Sequence, residues 1–152
     1  MPGIVHLLMG AAIAILIPST PLMLVVAFFS HYLLDLIPHI DPATFAAKAR
    51  PYTITQKIGV TVDVVLVVSL ALALFLVQHA SAHIFLGALA GLLPDLLSPL
   101  EEYSVFSPLK RIHRLFHWDE RRAKYWDWYL FGLVNPIVLS IVCLFVIAKS
   151  AL

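Results

Sequence analysis

Charge is what this chain has least of. Asp, Glu, Lys and Arg make up 12% of its 152 residues, about half the share of an ordinary soluble domain. Net charge is +1, so no basic field argues for a nucleic-acid partner. The single cysteine, Cys143, lies in an apolar run and has no second thiol for an intramolecular bridge. It reads as a small hydrophobe facing lipid or another helix. No basic stretch precedes Ile4, and the first apolar run ends in Pro18-Ser19-Thr20-Pro21 rather than at a small-residue cleavage site, so no cleavable signal peptide is expected. A phosphate-cradling glycine loop and a GxSxG elbow are both missing. Ser30 beside His31 is no triad, because adjacent residues on a helix do not face each other.

What the chain has in quantity is apolar side chain: 61% hydrophobic residues and a mean hydropathy of +0.94. A single domain of this length has no soluble core large enough to hold that surplus, so lipid must solvate much of the surface. Five apolar stretches carry it, at about Ile4–Ile17, Leu22–Ile37, Ile58–Val77, Ile84–Leu100 (interrupted by Pro94) and Tyr129–Ala148. Lipid offers no partner to open backbone groups, so each stretch is expected to be helical. A span needs roughly 20 residues. The third and fifth stretches are long enough, and the first two must tilt, thin the bilayer or form a hairpin.

Basic residues fall on one side of this alternation. Lys48, Arg50 and Lys57 follow the second stretch. Lys110, Arg111, Arg114, Arg121, Arg122 and Lys124 follow the fourth, and the turns at Pro18–Pro21 and Gln78–Ser81 carry none. The positive-inside rule then places the N-terminus and both basic segments in the cytoplasm of a multi-pass inner-membrane protein, with Lys149 snorkelling at the far end. Residues 101–128 form a cytoplasmic interfacial segment. Ser107-Pro108 opens a helix on which Leu109, Ile112 and Phe116 repeat beside Lys110, Arg111 and Arg114. Trp118, Tyr125, Trp126, Trp128 and Tyr129 then form an aromatic belt before the last span. The expected fold is all-α: one integral membrane domain over 1–152, a small polytopic bundle of about five apolar helices plus one interfacial amphipathic helix. An internal echo links His6-Leu7-Leu8-Met9-Gly10-Ala11 with His83-Ile84-Phe85-Leu86-Gly87-Ala88, as an old duplication with opposite topology would.

This topology collects the ionisable residues at one level. His6, His31, Asp35, His39, Asp41, Asp63, Asp95, His113 and His117 map to the cytoplasmic ends, and His79 and His83 to the other face. A carboxylate in hydrocarbon costs several kcal/mol unless it is paired or hydrated, so several at one depth imply a shared partner. His31 and Asp35 share a helix face at i, i+4 and offer a nitrogen and an oxygen to zinc, or to manganese or iron. His113 and His117 repeat that spacing. The expected metal ligands are His6, His31, Asp35, Asp63 and Asp95. His39, His113 and His117 are the candidates for a further ligand or a general acid/base. Lys110, Arg111 and Arg114 are the candidates to bind phosphate.

Ser30-His31-Tyr32-Leu33-Leu34-Asp35-Leu36-Ile37-Pro38-His39 resembles the HYxxD…P…H segment of zinc-dependent phospholipase C and related single-strand nucleases, in which the first His and the Asp are ligands. More of the chain resembles the YdjM-like family of inner-membrane metal-dependent hydrolases. Its N-terminal His, LLPD, HR…H and SHxxxD segments correspond to His6, Leu92-Leu93-Pro94-Asp95, His113-Arg114 to His117, and Ser30-His31 to Asp35. Here SHxxxD comes early, Leu96-Leu97-Ser98 replaces a second Asp, and the HR…H spacing is one residue shorter. The resemblance implies a divalent-metal hydrolase, zinc first. Together with the residues it leads to hydrolysis of a phosphate-containing lipid or substrate at the cytoplasmic face, with membrane lipids and a second copy of the chain as partners. The alternatives are a non-enzymatic assembly subunit with a structural metal or ion pairs, and a small ion or proton transporter. The transporter is disfavoured because the far halves of the helices are Leu, Val, Ala and Ile.

Overall fold

A computed structural model describes residues 1–39, 54–77, 82–97, 111, 115–116 and 125–150. Five helices order the chain: α1 (Gly3–Leu16), α2 (Thr20–Asp35), α3 (Ile54–Val77), α4 (Ala82–Leu97) and α5 (Tyr125–Ser150). No strand occurs among the described residues. The five apolar stretches are these helices, but α3 and α5 each begin four residues earlier than their apolar runs. Hydropathy marks the part of a helix that suits lipid, and helix formation extends beyond it into Thr55-Gln56-Lys57 and the aromatic belt. The expected helix within 101–128 lies almost wholly outside the described residues, apart from Arg111, Leu115 and Phe116.

α1 is the central helix and packs against the other four. Ten of its 14 residues are buried, which fits a helix apolar on all sides. Successive helices alternate in direction, as three contacts show. Asp63 on α3 accepts hydrogen bonds from the backbone of Gly3 (2.8 Å) and Ile4 (3.2 Å) at the start of α1. At the opposite end, His83 on α4 pairs through Nε2 with the Ile17 carbonyl (2.9 Å) and through Nδ1 with Thr20 Oγ1 (3.1 Å). Asn135 on α5 donates to the Pro38 carbonyl, beyond the end of α2, at 2.8 Å.

The α1–α4 contact depends on small residues. Gly10 faces Gly87 so closely that a Cβ on Gly10 would occupy the space of the Gly87 carbonyl. A Cβ on Gly91 would stand 2.5 Å from the His6 carbonyl. Backbones meet this way in membrane helix pairs, where small residues replace a hydrophobic driving force. The two glycines that face each other occupy the same place in the two halves of the sequence echo.

Two helices are long and apolar enough to cross a membrane by length and composition: Lys57–Leu76 (20 residues, mean hydropathy 2.5) and Gly132–Ser150 (19 residues, mean hydropathy 2.1). α1, α2 and α4, at 14, 16 and 16 residues, rise only about 21–24 Å.

Asp63 stands nine residues into α3, in its third turn, where it caps a neighbouring helix. Cap removal typically costs about 0.5–2 kcal/mol. Asp63→Ala is therefore expected to lower stability by about 1–2 kcal/mol, and Asp63→Asn, which keeps one acceptor oxygen, by less. Denaturant unfolding in detergent measures both, and equal losses would show that the acceptor is not what matters.

Candidate metal centre

Three short helices converge on one point. α1 supplies His6, α2 supplies His31 and Asp35, α4 supplies Asp95, and the turn after α2 supplies His39. His6, His31, Asp35 and His39 are all buried, none more than 2% exposed. Only the Asp95 side chain reaches the surface, at 33%. The rings of His6 and His31 stack with centroids 3.8 Å apart.

Backbone carbonyls set the direction of two of the rings. Pro94 lies inside α4 and has no N–H to offer the Ala90 carbonyl one turn before it. The Gly91 carbonyl, three residues before Pro94, accepts from His31 Nδ1 at 3.2 Å. The Ile37 carbonyl accepts from His39 Nδ1 at 2.7 Å. A carbonyl only accepts, so Nδ1 carries the proton in each ring and a neutral ring keeps its lone pair on Nε2. Holding a histidine by its second nitrogen is how protein metal sites fix the ligand tautomer.

The lone pairs converge on the carboxylates. His31 Nε2 lies 3.3 Å from Asp35 Oδ2 and 3.7 Å from Asp95 Oδ1. His6 Nε2 lies 3.3 Å from Asp35 Oδ1, and His39 Nε2 4.0 Å from the same oxygen. The α-amino group of Met1 also meets Asp35 Oδ1, at 2.6 Å. Charge-assisted hydrogen bonds are shorter, about 2.7–2.9 Å. The 3.3 Å separations instead match the edge of a tetrahedron, about 3.3–3.4 Å, that follows from zinc–ligand bonds of about 2.0–2.1 Å. His6, His31 and Asp95 each offer a ligand atom within 4.8 Å of the other two, and this set can hold a metal ion.

His6 supplies the test of fit. It is fully buried, its Nδ1 has no hydrogen-bond partner, and its Nε2 has only the Asp35 carboxylate at 3.3 Å. Leaving a buried polar group unsatisfied costs about 1–3 kcal/mol. A metal ion accepting the Nε2 lone pair removes part of that cost, and the donor set of two imidazoles with carboxylates suits zinc, manganese or iron.

The sequence-derived site residues thus divide. His6, His31, Asp35 and Asp95 come together, with His39 beside Asp35. Asp63 is placed apart from them as the cap of α1. His83 is at the far end of the bundle, where its place in the topology puts it. Arg111 is described and exposed, whereas Lys110, Arg114, His113 and His117 lie outside the described residues. Sequence reasoning missed the Gly91 carbonyl and the Met1 amine, because backbone groups leave no trace in a residue pattern. A ring contact also links the site to the interfacial segment, with His31, Tyr32 and Phe116 at centroid separations of 5.4 and 5.7 Å.

No family model, curated protein or solved structure matches this chain.

Proposed function

We propose that this protein is a multi-pass membrane hydrolase that uses a divalent metal, zinc first, to cleave a phosphate ester at the cytoplasmic face. The observation that carries this reading is the buried His6–His31 pair, converging with Asp35 and Asp95 while His6 Nδ1 has no hydrogen-bond partner. A membrane setting fits the exposed apolar surface of α3 and α5, which includes Val65, Val68, Phe75, Ile141 and Phe145. The basic residues flanking this end of the bundle support the orientation.

His6, His31, Asp35 and Asp95 would hold the ion, and a bound divalent ion supplies a Lewis acid that activates water and stabilises charge on a phosphoryl oxygen. The remaining roles belong to the side chains. The Gly91 and Ile37 carbonyls keep Nε2 of His31 and His39 aimed inward. His39 Nε2, 4.0 Å from Asp35, is placed to take up a proton. The partial exposure of Asp95 leaves one side of the site approachable, which favours a catalytic over a closed structural metal.

Detergent-purified protein is expected to carry close to one equivalent of divalent metal by elemental analysis. It should release phosphate from an ester panel, and Asp35→Asn should lose the activity. Stripping with a chelator is expected to lower the unfolding temperature, and restoring metal at about 100 times its Kd should return about 2.7 kcal/mol. Metal-free protein whose stability does not respond to added zinc, manganese or iron would sink the proposal.

A further inference from the structure

We infer that the substrate of this site is a lipid phosphate that reaches it from within the bilayer, along the seam between α2 and α4; this rests on the hydrolase reading above. Three observations point the same way.

The first is depth. Asp63 marks the level at which α1 begins, and it lies six residues inside the start of the span Lys57–Leu76, about 9 Å along the helix axis. His6 is a further three residues into α1. On the other flank, Asn135 marks the level of Pro38 and lies ten residues into α5 (Tyr125–Ser150), while Asp35 is three residues deeper than Pro38. From both sides the cluster is recessed by at least about 10 Å behind the starts of α3 and α5. A phosphate ester dissolved in water would have to enter a region that excludes it. A lipid is already held at that depth by its acyl chains and has only to bring its headgroup along the seam.

The second is the opening. Asp95 is the one member of the cluster that reaches the surface, and it stands across the α2–α4 seam from His31. The outer faces of those two helices are apolar: Phe29 and Leu33 on α2, Leu36 just after it, and Leu86, Leu93 and Leu96 on α4 are between 40% and 63% exposed. Acyl chains suit such a surface, whereas a hydrated phosphate ester does not.

The third is charge. Phe116 packs on Tyr32, and Tyr32 on His31, and the exposed cation Arg111 lies five residues before Phe116 in the chain. A metal centre suits a phosphate, a guanidinium borne on the same flank would add a bidentate partner for it, and an apolar surface suits its tail.

The test is turnover by the full-length, zinc-loaded protein in mixed micelles. Substrates are dioleoyl phosphatidic acid and dioleoyl phosphatidylglycerol, against glycerol phosphate and bis-p-nitrophenyl phosphate in the same micelles. The expected result is release of phosphate or a water-soluble phosphate ester from a lipid at least tenfold faster than from either soluble ester. At fixed bulk lipid, the rate should fall as added detergent dilutes the lipid within the micelle. Soluble esters cleaved as fast as lipids, or a lipid rate that ignores surface dilution, would overturn the lipid inference and leave the hydrolase standing. Fatty-acid release in place of phosphate would overturn the phosphate assignment. Metal-loaded protein that turns over none of the four would overturn both readings.

Discussion

Replacing His31 with alanine is expected to weaken metal binding more than any other single change, by more than about 100-fold in Kd. Losing a residue that merely supports a ligand typically costs 10–100-fold, and His31 is placed as a ligand itself. Its Nε2 faces Asp35 and Asp95 at 3.3 and 3.7 Å, its Nδ1 is tied to Gly91, and its ring stacks on His6. Alanine therefore removes a donor atom and the surface that orients a second one. Asp95→Asn should cost less, because it removes charge and keeps an oxygen at the open edge of the site. His83→Ala is the matched control. It deletes a histidine at the far end of the same bundle, so it should lower stability through two lost hydrogen bonds and leave metal content intact. Isothermal titration of stripped protein with zinc measures all three. Equal affinity in wild type and His31→Ala would remove the cluster from consideration as a metal centre.

The second large effect belongs to a residue with no side chain. Gly87→Ala is expected to destabilise the protein by about 3 kcal/mol or more, the upper part of the range for overpacked interiors. The new methyl would stand 2.6 Å from the Gly10 carbonyl oxygen and 2.7 Å from the Ala14 Cβ. Neither neighbour is the free end of a flexible side chain, so α1 and α4 must move apart. That separation also carries His6 away from Asp95, because the two lie on either side of the crossing. Metal affinity should fall with stability although Gly87 is two turns from Asp95. Gly3→Ala is the contrast: its nearest neighbours, at 3.3 Å, are the side chains of Asp63, Leu92 and Val67, which can adjust, so its cost should stay below about 1 kcal/mol. Unfolding in detergent, followed by circular dichroism, tests the pair. A Gly87→Ala protein as stable as wild type would mean that the helices do not meet at the distance described.

The two predictions bear on different stages of the argument. His31 was legible in the sequence because an imidazole and a carboxylate four residues apart on an apolar helix have few bland explanations. The same logic singled out Asp95 and His6, and it separated His83 by counting helix reversals. It also selected Asp63, and there the reasoning reached its limit. An acidic residue inside an apolar helix must find a partner, but the sequence does not say which. In the fold the partners are the two N–H groups of Gly3 and Ile4, a helix start being as good a destination for a carboxylate as a cation. Gly10, Gly87 and Gly91 were visible as an echo but not as a contact, because only the antiparallel pairing of α1 and α4 turns two similar runs into one crossing.

The scarcity of charge noted at the outset determined a good deal by itself. It required helices, set their number and order, and made every ionisable residue within them informative, since lipid and apolar packing penalise an unsatisfied polar group severely. The tertiary structure decided which of those residues meet. Helix direction and length bring His6, His31, Asp35 and Asp95 to one level, and the crossing at Gly10 and Gly87 lets α1 and α4 approach closely enough to close the site. Asp63 is spent on holding α1 in place. Those outcomes depend on distances between segments as far apart in the chain as His6 and Asp95, and no local pattern encodes a distance of that kind.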